Sequence, residues 1–336
     1  MYPLDNDEQE QQSDQYAEKF EVQFMLRTAC ATALYPLEYA KTLIQIGYEP
    51  IAPRPGYTLF GQKRLMLPNI FQYASHIKSV DGFVGCFRGL SSRLVGNVLS
   101  AYYGELIADR LGVYDVPKRT KRQNISPAAY WDTPYDDLTA WEVQDDDKHL
   151  DADFVVKLKR NVVVHFAGVV ISHPFHVISV RMMAQFVGKE RYYNGLFASI
   201  KEIWNTEGFS GFFSGLIPRL VCDIGCLVIS STITYLASKA IVKGEGERGF
   251  FSAITSFTVS STLYPYHVVS TCMIVNGSRL KAGNLPLMDN YVDWRDCYGK
   301  LRASHEHKRG SSLFFRTVPR VFNKSNNLYA PYPEMK

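Results

Sequence analysis

The chain has 336 residues, 46% hydrophobic and 21% charged, with 20 Phe and 21 Tyr, which excludes a disordered, collagen-like or low-complexity protein and leaves ample material for a core. A net charge of +4 without a concentrated basic face argues against a nucleic-acid partner. The mean hydropathy of −0.14 is an average, and a polytopic membrane protein with long charged loops gives the same value.

Residues 1–21 carry Asp5, Asp7, Glu8, Glu10, Asp14, Glu18 and Glu21. That is the opposite of an Arg-rich, acid-poor targeting presequence, so an acidic disordered tail is expected and any organellar address is internal. Five stretches then approach the ~20 apolar residues that cross a hydrocarbon core of about 30 Å: Phe24–Tyr48, Leu94–Leu111, Asn161–Met183, Leu220–Ile241 and Phe250–Val275. Each carries ionisable groups: Glu38 and Lys41, Glu105, then His165, His173 and His176, Asp223, and His267. In a membrane bundle such groups face the protein interior. The loop between the second and third stretches holds Lys118, Arg119, Lys121 and Arg122, followed by nine acids from Asp132 to Asp153 against Lys148 alone; it is expected to be a solvated linker. The six cysteines, Cys30, Cys86, Cys222, Cys226, Cys272 and Cys297, lack a paired CxxC spacing, so neither a zinc site nor a disulfide framework is expected. Cys222 and Cys226 read as small core residues and His165 as a satisfied bundle histidine. No phosphate-binding loop of the form GxxxxGK[ST] occurs, and neither cofactor nor catalytic residue is assigned.

Repetition organises these stretches. Pro36 lies in Pro-Leu-Glu-Tyr-Ala-Lys, Pro174 in His-Pro-Phe-His, and Pro265 in Tyr-Pro-Tyr-His-Val-Val-Ser, each late in an apolar stretch. Asp81-Gly82 and Glu207-Gly208 follow the first two, each with an aromatic turn ending in Gly89-Leu90 or Gly215-Leu216. Arg93 and Arg219 come 12 residues beyond the acids. The third copy of this turn is read at Leu313–Arg320, one residue shorter and without its glycine.

The residues from 24 to 320 resemble the mitochondrial carrier family, whose repeat runs helix, P-x-[DE]-x-x-[KR], short amphipathic helix, acid-Gly turn and second helix. The resemblance implies an all-α membrane protein, a helical bundle of tandem repeats. The boundaries expected are a tail at 1–21, repeat 1 at 22–111, the charged loop at 112–155, repeat 2 at 156–243, a truncated repeat 3 at 244–320 and a polar tail at 321–336. Two departures matter. Only Glu38 and Lys41 keep the acid and base of the motif; the second copy has His176 and Ser179, and the third His267 and Ser270. Glu38 and Lys41 are therefore expected to lack charged partners, so that no gating ring forms. The polar residues after Arg320 cannot be a sixth spanning helix.

Both departures are similar to the mitochondrial carrier homologs, a divergent group of that family. That likeness implies a multi-pass protein of the outer membrane that inserts tail-anchored and other α-helical clients, with lipid as its surroundings and pro-apoptotic proteins as further partners. A receptor or scaffold role is the alternative, and solute transport the least favoured. The groove expected to meet clients is lined by Glu38, Lys41, Arg219, Asp223, Tyr264, His267 and Thr271. Each also has a structural reading: an ion pair at the helix entrance for Arg219 and Asp223, packing for His267 and Thr271, an interfacial anchor for Tyr264.

Overall fold

The computed structural model describes residues 6–57, 61–113, 147–240 and 245–318. In chain order the elements are α1 (Asn6–Ile46), β1 (Arg54–Tyr57), β2 (Lys63–Leu67), α2 (Ile70–Gly85), α3 (Leu90–Arg110), α4 (Asp147–Gly188), α5 (Leu196–Glu207), a 3-10 turn (Gly208–Phe213), α6 (Leu216–Ala240), α7 (Glu245–Val275), a 3-10 turn (Lys281–Gly283), α8 (Trp294–Ala303) and β3 (Arg316–Thr317). The five apolar stretches fall on α1, α3, α4, α6 and α7. By composition alone, Phe154–Gly188 and the stretch Leu196–Ala240, which contains α6, are long and apolar enough to cross a bilayer. Pro36, Pro174 and Pro265 lie inside α1, α4 and α7, which continue past them. A proline there removes one helical hydrogen bond and presses on the carbonyl four residues earlier.

Two expectations need correction. The acidic stretch Asn6–Glu21 is helical and belongs to α1, because the Glu, Gln and Lys that keep it polar are also good helix formers. The end of the charged loop, from Asp147, is likewise the start of α4. Its basic cluster and most of its acids, like residues 319–336, lie outside the described residues.

The chain forms two compact units: Met1–Leu34, Leu94–Pro174 and Leu220–Leu263 make the first, and Tyr35–Arg93, Phe175–Arg219 and Tyr264–Lys336 the second. Every division falls inside a helix, beside one of the three prolines or just after Arg93 or Arg219.

In the first unit small residues bring helices close. A Cβ on Gly168 of α4 would lie 2.5 Å from Ser100 Oγ of α3, and one on Gly104 would lie 3.1 Å from the Val164 carbonyl. Ser100 with Gly104 and Val164 with Gly168 thus form facing notches of the kind that pack membrane helices, where burial in lipid gives no hydrophobic drive. Phe154 stacks on Tyr235 at 4.1 Å between ring centres, joining α4 to α6. Hydroxyls on α6 and α7 are satisfied within their own helices: Ser230, Ser231, Thr232 and Thr258 each donate to the carbonyl four residues back. That removes the cost of an unpaired donor in an apolar medium.

The second unit holds the larger core, built on Tyr35, Tyr39, Leu43, Ile178, Met183, Ile203 and Val268. Its short helices have defined starts. Asn69 Oδ1 accepts from the Gln72 amide at 2.8 Å while Gln72 Oε1 accepts from the Asn69 amide at 3.1 Å, opening α2. Asp293 Oδ1 accepts from the Asp296 amide at 2.7 Å, opening α8. An antiparallel sheet in the order β1-β2-β3 pairs Arg54 with Met66 and Leu67 with Arg316.

The Gly168 contact makes a quantitative demand. Gly168→Leu is expected to cost about 1–3 kcal/mol by overpacking, and Gly168→Ala much less, since the Ser100 hydroxyl can rotate. Thermal unfolding in mild detergent reads both, and Ser100→Gly is expected to recover part of the loss in Gly168→Leu.

Candidate functional site

In the second unit the proline-bearing helices are tied by hydrogen bonds that recur at the same register. Tyr35, just before Pro36, donates to the Arg88 carbonyl at 3.0 Å, and Tyr264, just before Pro265, donates to the Arg309 carbonyl at 2.9 Å. Each acceptor precedes a glycine at positive φ, 91° at Gly89 and 76° at Gly310, where a side chain would be strained. Arg309-Gly310 therefore occupies the place of Arg88-Gly89, which corrects the reading of the third turn at Leu313–Arg320. That later segment packs on the start of α2: the Leu313 carbonyl accepts from the Ile70 amide at 2.9 Å, and Phe314 meets Phe71. The turn was hidden because His305–Lys308 is polar and carries no aromatic residue.

The serines at the base position of the motif have a related use. A Cβ on Gly89 would sit 2.9 Å from the Ser179 carbonyl, and one on Gly215 would sit 2.5 Å from the Ser270 carbonyl. Tyr35 Oη lies 3.2 Å from Ser179 Oγ, and Ser270 Oγ donates to the Gly215 carbonyl at 2.8 Å. A long basic side chain in place of these hydroxyls would have no room beside the incoming glycine turn.

Eleven residues after Pro174 and Pro265 stand Gln185 and Asn276. Gln185 clamps the backbone of Tyr193, donating to its carbonyl and accepting from its amide, both at 3.1 Å. Asn276 does the same with Tyr291, at 2.9 and 3.3 Å. Seven residues after Pro174 stands Arg181, which is wholly buried. Its guanidinium grips Glu207 at 2.6 and 2.8 Å, donates to the Ile274 carbonyl at 3.0 Å and reaches Tyr193 Oη at 3.4 Å.

The expected groove residues have mixed fates. Glu38 is not without a charged partner: Arg93 of α3 meets it at 2.5 Å and also touches His176 Nδ1 at 3.2 Å. The partner comes from the start of α3 instead of from the next motif. Lys41 Nζ lies 5.6 Å from the centre of the Tyr264 ring, a cation–π contact. Tyr264 Oη accepts from Gln45 Nε2 at 3.0 Å, and Thr271 Oγ1 donates to Gln45 Oε1 at 3.2 Å. Thr271 is 2% exposed, so it ties α7 to α1 and does not present a surface. His267 is half-buried, its ring 6.2 Å from that of Tyr264. Arg219 and Asp223 lie one turn apart on α6, half-buried, and both are engaged. Among residues not singled out in the sequence, Gln45 and Arg181 each join several elements. On the loop side Arg316 pairs with Glu49 and donates to the Pro68 carbonyl at 2.9 Å. Burial pushes the Glu49 carboxyl above its ordinary range, with Arg316 pulling the other way.

Comparison with known proteins places this geometry in a family. The model described as mitochondrial carrier protein matches residues 161–245. A mouse protein named mitochondrial carrier homolog 2 is 36% identical over 304 residues, covering 88% of this chain and 94% of that protein. Its human counterpart is 35% identical over 302 residues with the same coverage. The chain belongs to the mitochondrial carrier homologs. Mouse mitochondrial carrier homolog 1 is also similar, 35% identical over 321 residues, 89% of this chain and 77% of that protein. This carrier homolog is thus a divergent member of the carrier family, and a Dictyostelium discoideum substrate carrier matches it over 111 residues at 32% identity.

In this carrier homolog the Arg181–Glu207 pair should behave as a buried lock. Arg181→Met leaves the half-buried Glu207 without its partner and is expected to cost roughly 2–3 kcal/mol, below the range for a fully buried pair, whereas Arg181→Met combined with Glu207→Met should regain most of that loss. Chemical unfolding in detergent measures both; an additive double variant would contradict the lock.

Proposed function

We propose that this chain is an insertase of the mitochondrial outer membrane, built on three tandem carrier repeats with the place of the sixth helix unfilled, and that its clients are tail-anchored and other α-helical membrane proteins. The observation that carries this reading is the bareness of two helices in the first unit. From Met25 to Leu34, α1 exposes Met25, Leu26, Ala29, Cys30, Ala31, Ala33 and Leu34, which lie on almost every face of the helix. Along α7, Phe250 and Phe257 are 71% and 75% exposed beside the exposed hydroxyls of Thr258, Ser261 and Thr262. In the carrier arrangement these are the two helices that flank the sixth.

A surface of this mixed kind suits a client that must carry a polar tail through lipid. A charge at the centre of an isolated helix costs about 2.5–3.5 kcal/mol on insertion scales, and nearby polar groups reduce that cost. The hydroxyls of Thr258, Ser261 and Thr262 already bond to carbonyls in their own helix, so they can face lipid when the site is empty. Release of the client's apolar helix into the bilayer is favourable at about 25 cal/mol per Å² removed from water. No nucleotide is needed. Gln45 joins α1 to α7 through Tyr264 and Thr271.

Purified protein in liposomes tests this with matched clients that differ only in the charge of the translocated tail. Wild type is expected to speed insertion over empty liposomes. Lys41→Glu should slow acidic tails relative to basic ones by about tenfold, the ratio produced by about 1.4 kcal/mol of electrostatic bias, and Asp223→Arg should shift the ratio the other way. Equal loss for every client, in proportion to protein abundance, would contradict a client-reading role for these charges.

A further inference from the structure

Cys272 near the end of α7 and Cys297 on α8 are both fully buried, belong to one core cluster and have side chains close enough to interact. Both are free thiols. Arg309 Nη2 lies 3.3 Å from Cys272 Sγ, which also reaches the Gln45 carbonyl at 3.5 Å. The same guanidinium meets Glu306 at 3.3 Å and fills the space that a Cβ on Gly47 would take, while its Nε has no partner. The register makes this arrangement informative. Cys272 stands seven residues after Pro265, as Arg181 stands seven after Pro174. Where Arg181 brings a guanidinium to Glu207, Cys272 receives one from Arg309, so the cation stands on the opposite partner.

We propose that Cys272 and Cys297 form a reversible redox site, oxidised to a disulfide by small peroxides, with Arg309 as the group that sets the reactivity of Cys272. A thiolate is the nucleophile in such chemistry, and a cation beside the sulfur favours it. The side-chain interaction with Cys272, with burial, holds the Cys297 thiol above its ordinary range, which suits it to keep its proton until the second step. In the first step Cys272 sulfur attacks one peroxide oxygen; the S–O bond forms, the O–O bond breaks and the departing oxygen takes a proton, giving a sulfenic acid and water. In the second, Cys297 sulfur attacks the sulfenic sulfur, the S–S bond forms, and the departing hydroxide leaves as water with the Cys297 proton. Two thiols lose two electrons, one peroxide gains them, and two waters result. Complete burial of both sulfurs selects a peroxide over a bulky disulfide. The product ties α8 to α7 and removes the thiol that Arg309 touches, leaving Glu306 as the ionic partner of Arg309 on the turn that touches Gly47 and Tyr264.

The full chain in detergent, treated with hydrogen peroxide, then unfolded and alkylated, tests this. Two of the six cysteines should resist alkylation, peptide mapping should find Cys272 joined to Cys297, and dithiothreitol should restore all six. Cys297→Ser should abolish the protected pair and leave Cys272 oxidised singly. Arg309→Gln should slow formation of the pair by about tenfold or more, through a smaller thiolate fraction, with Arg309→Lys recovering part of the rate. Six alkylated thiols after treatment, or Cys272 joined to another cysteine, would overturn the site. Unchanged kinetics in a folded Arg309→Gln variant would overturn the assignment of Arg309. If that variant does not fold, the wild type, Cys297→Ser and Arg309→Lys decide.

Discussion

The second unit depends on one buried guanidinium. Arg181 has no exposure to solvent, and its donors are spent on Glu207, the Ile274 carbonyl and Tyr193. Those acceptors belong to the end of α5, to α7 and to the turn before α5, so a single side chain on α4 ties three separate pieces of chain to itself. A pair of this kind need not be more stable than an apolar replacement, because desolvation offsets much of the attraction. What it does is penalise every arrangement in which the partners are apart. The equivalent register in the other two proline-bearing helices is filled by Leu43 and Cys272, one by packing and one by contact with Arg309. One register after the proline is thus filled in three ways, by an ion pair, by packing and by a thiol beside a guanidinium.

Replacement of ionic contacts by neutral ones bears on what the molecule can do. A ring of ion pairs between helix ends opens by exchanging partners. Beside the ion pairs Glu38–Arg93 and Arg181–Glu207, several contacts of the proline-bearing helices are neutral: hydroxyl to carbonyl at Tyr35 and Tyr264, amide to backbone at Gln185 and Asn276, hydroxyl to amide at Thr271 and Gln45. Glu38 is held by Arg93 near the start of α3, and Lys41 lies over the face of an aromatic ring. Glycine turns pressed onto the serine positions fill the space in which longer bases would move. A floor assembled this way favours a standing scaffold over a cycle of opening and closing, which is why insertion along exposed helices is the preferred reading and solute exchange is not.

Much of the frame could be read from residue order. The five apolar stretches all fall on helices, two of them long and apolar enough to cross a bilayer, and the three prolines mark the same late position in α1, α4 and α7. Partnerships between distant residues were harder. Nothing near Glu38 in sequence points to Arg93, since the pair forms only when the start of α3 is brought to α1. Gln45 sits in an apolar run and reads as an ordinary helical residue until Tyr264 and Thr271 converge on it. Arg181 looks like a cation whose long side chain could escape to an interface, yet the surrounding helices enclose it. The hairpin of β1 and β2 went unread because Pro53, Pro55 and Gly56 suggest a loop, and only pairing across Met66 and Leu67 makes it a sheet. The glycine at 310 was missed for the opposite reason: its neighbours in sequence are polar, and its equivalence to Gly89 rests on a tyrosine 46 residues earlier.

Passage of a client helix along the exposed faces of α1 and α7 can be tested directly. Photocrosslinkers placed singly at Ala33 and Phe257, with Tyr102 on α3 as an exposed control, can be activated while a tail-anchored client is inserting into liposomes that contain the protein. Adducts to the client's transmembrane segment at Ala33 and Phe257, absent at Tyr102 and lost once insertion is complete, are the result expected. Equal crosslinking at all three positions, or crosslinking to lipid alone at Ala33 and Phe257, would contradict it.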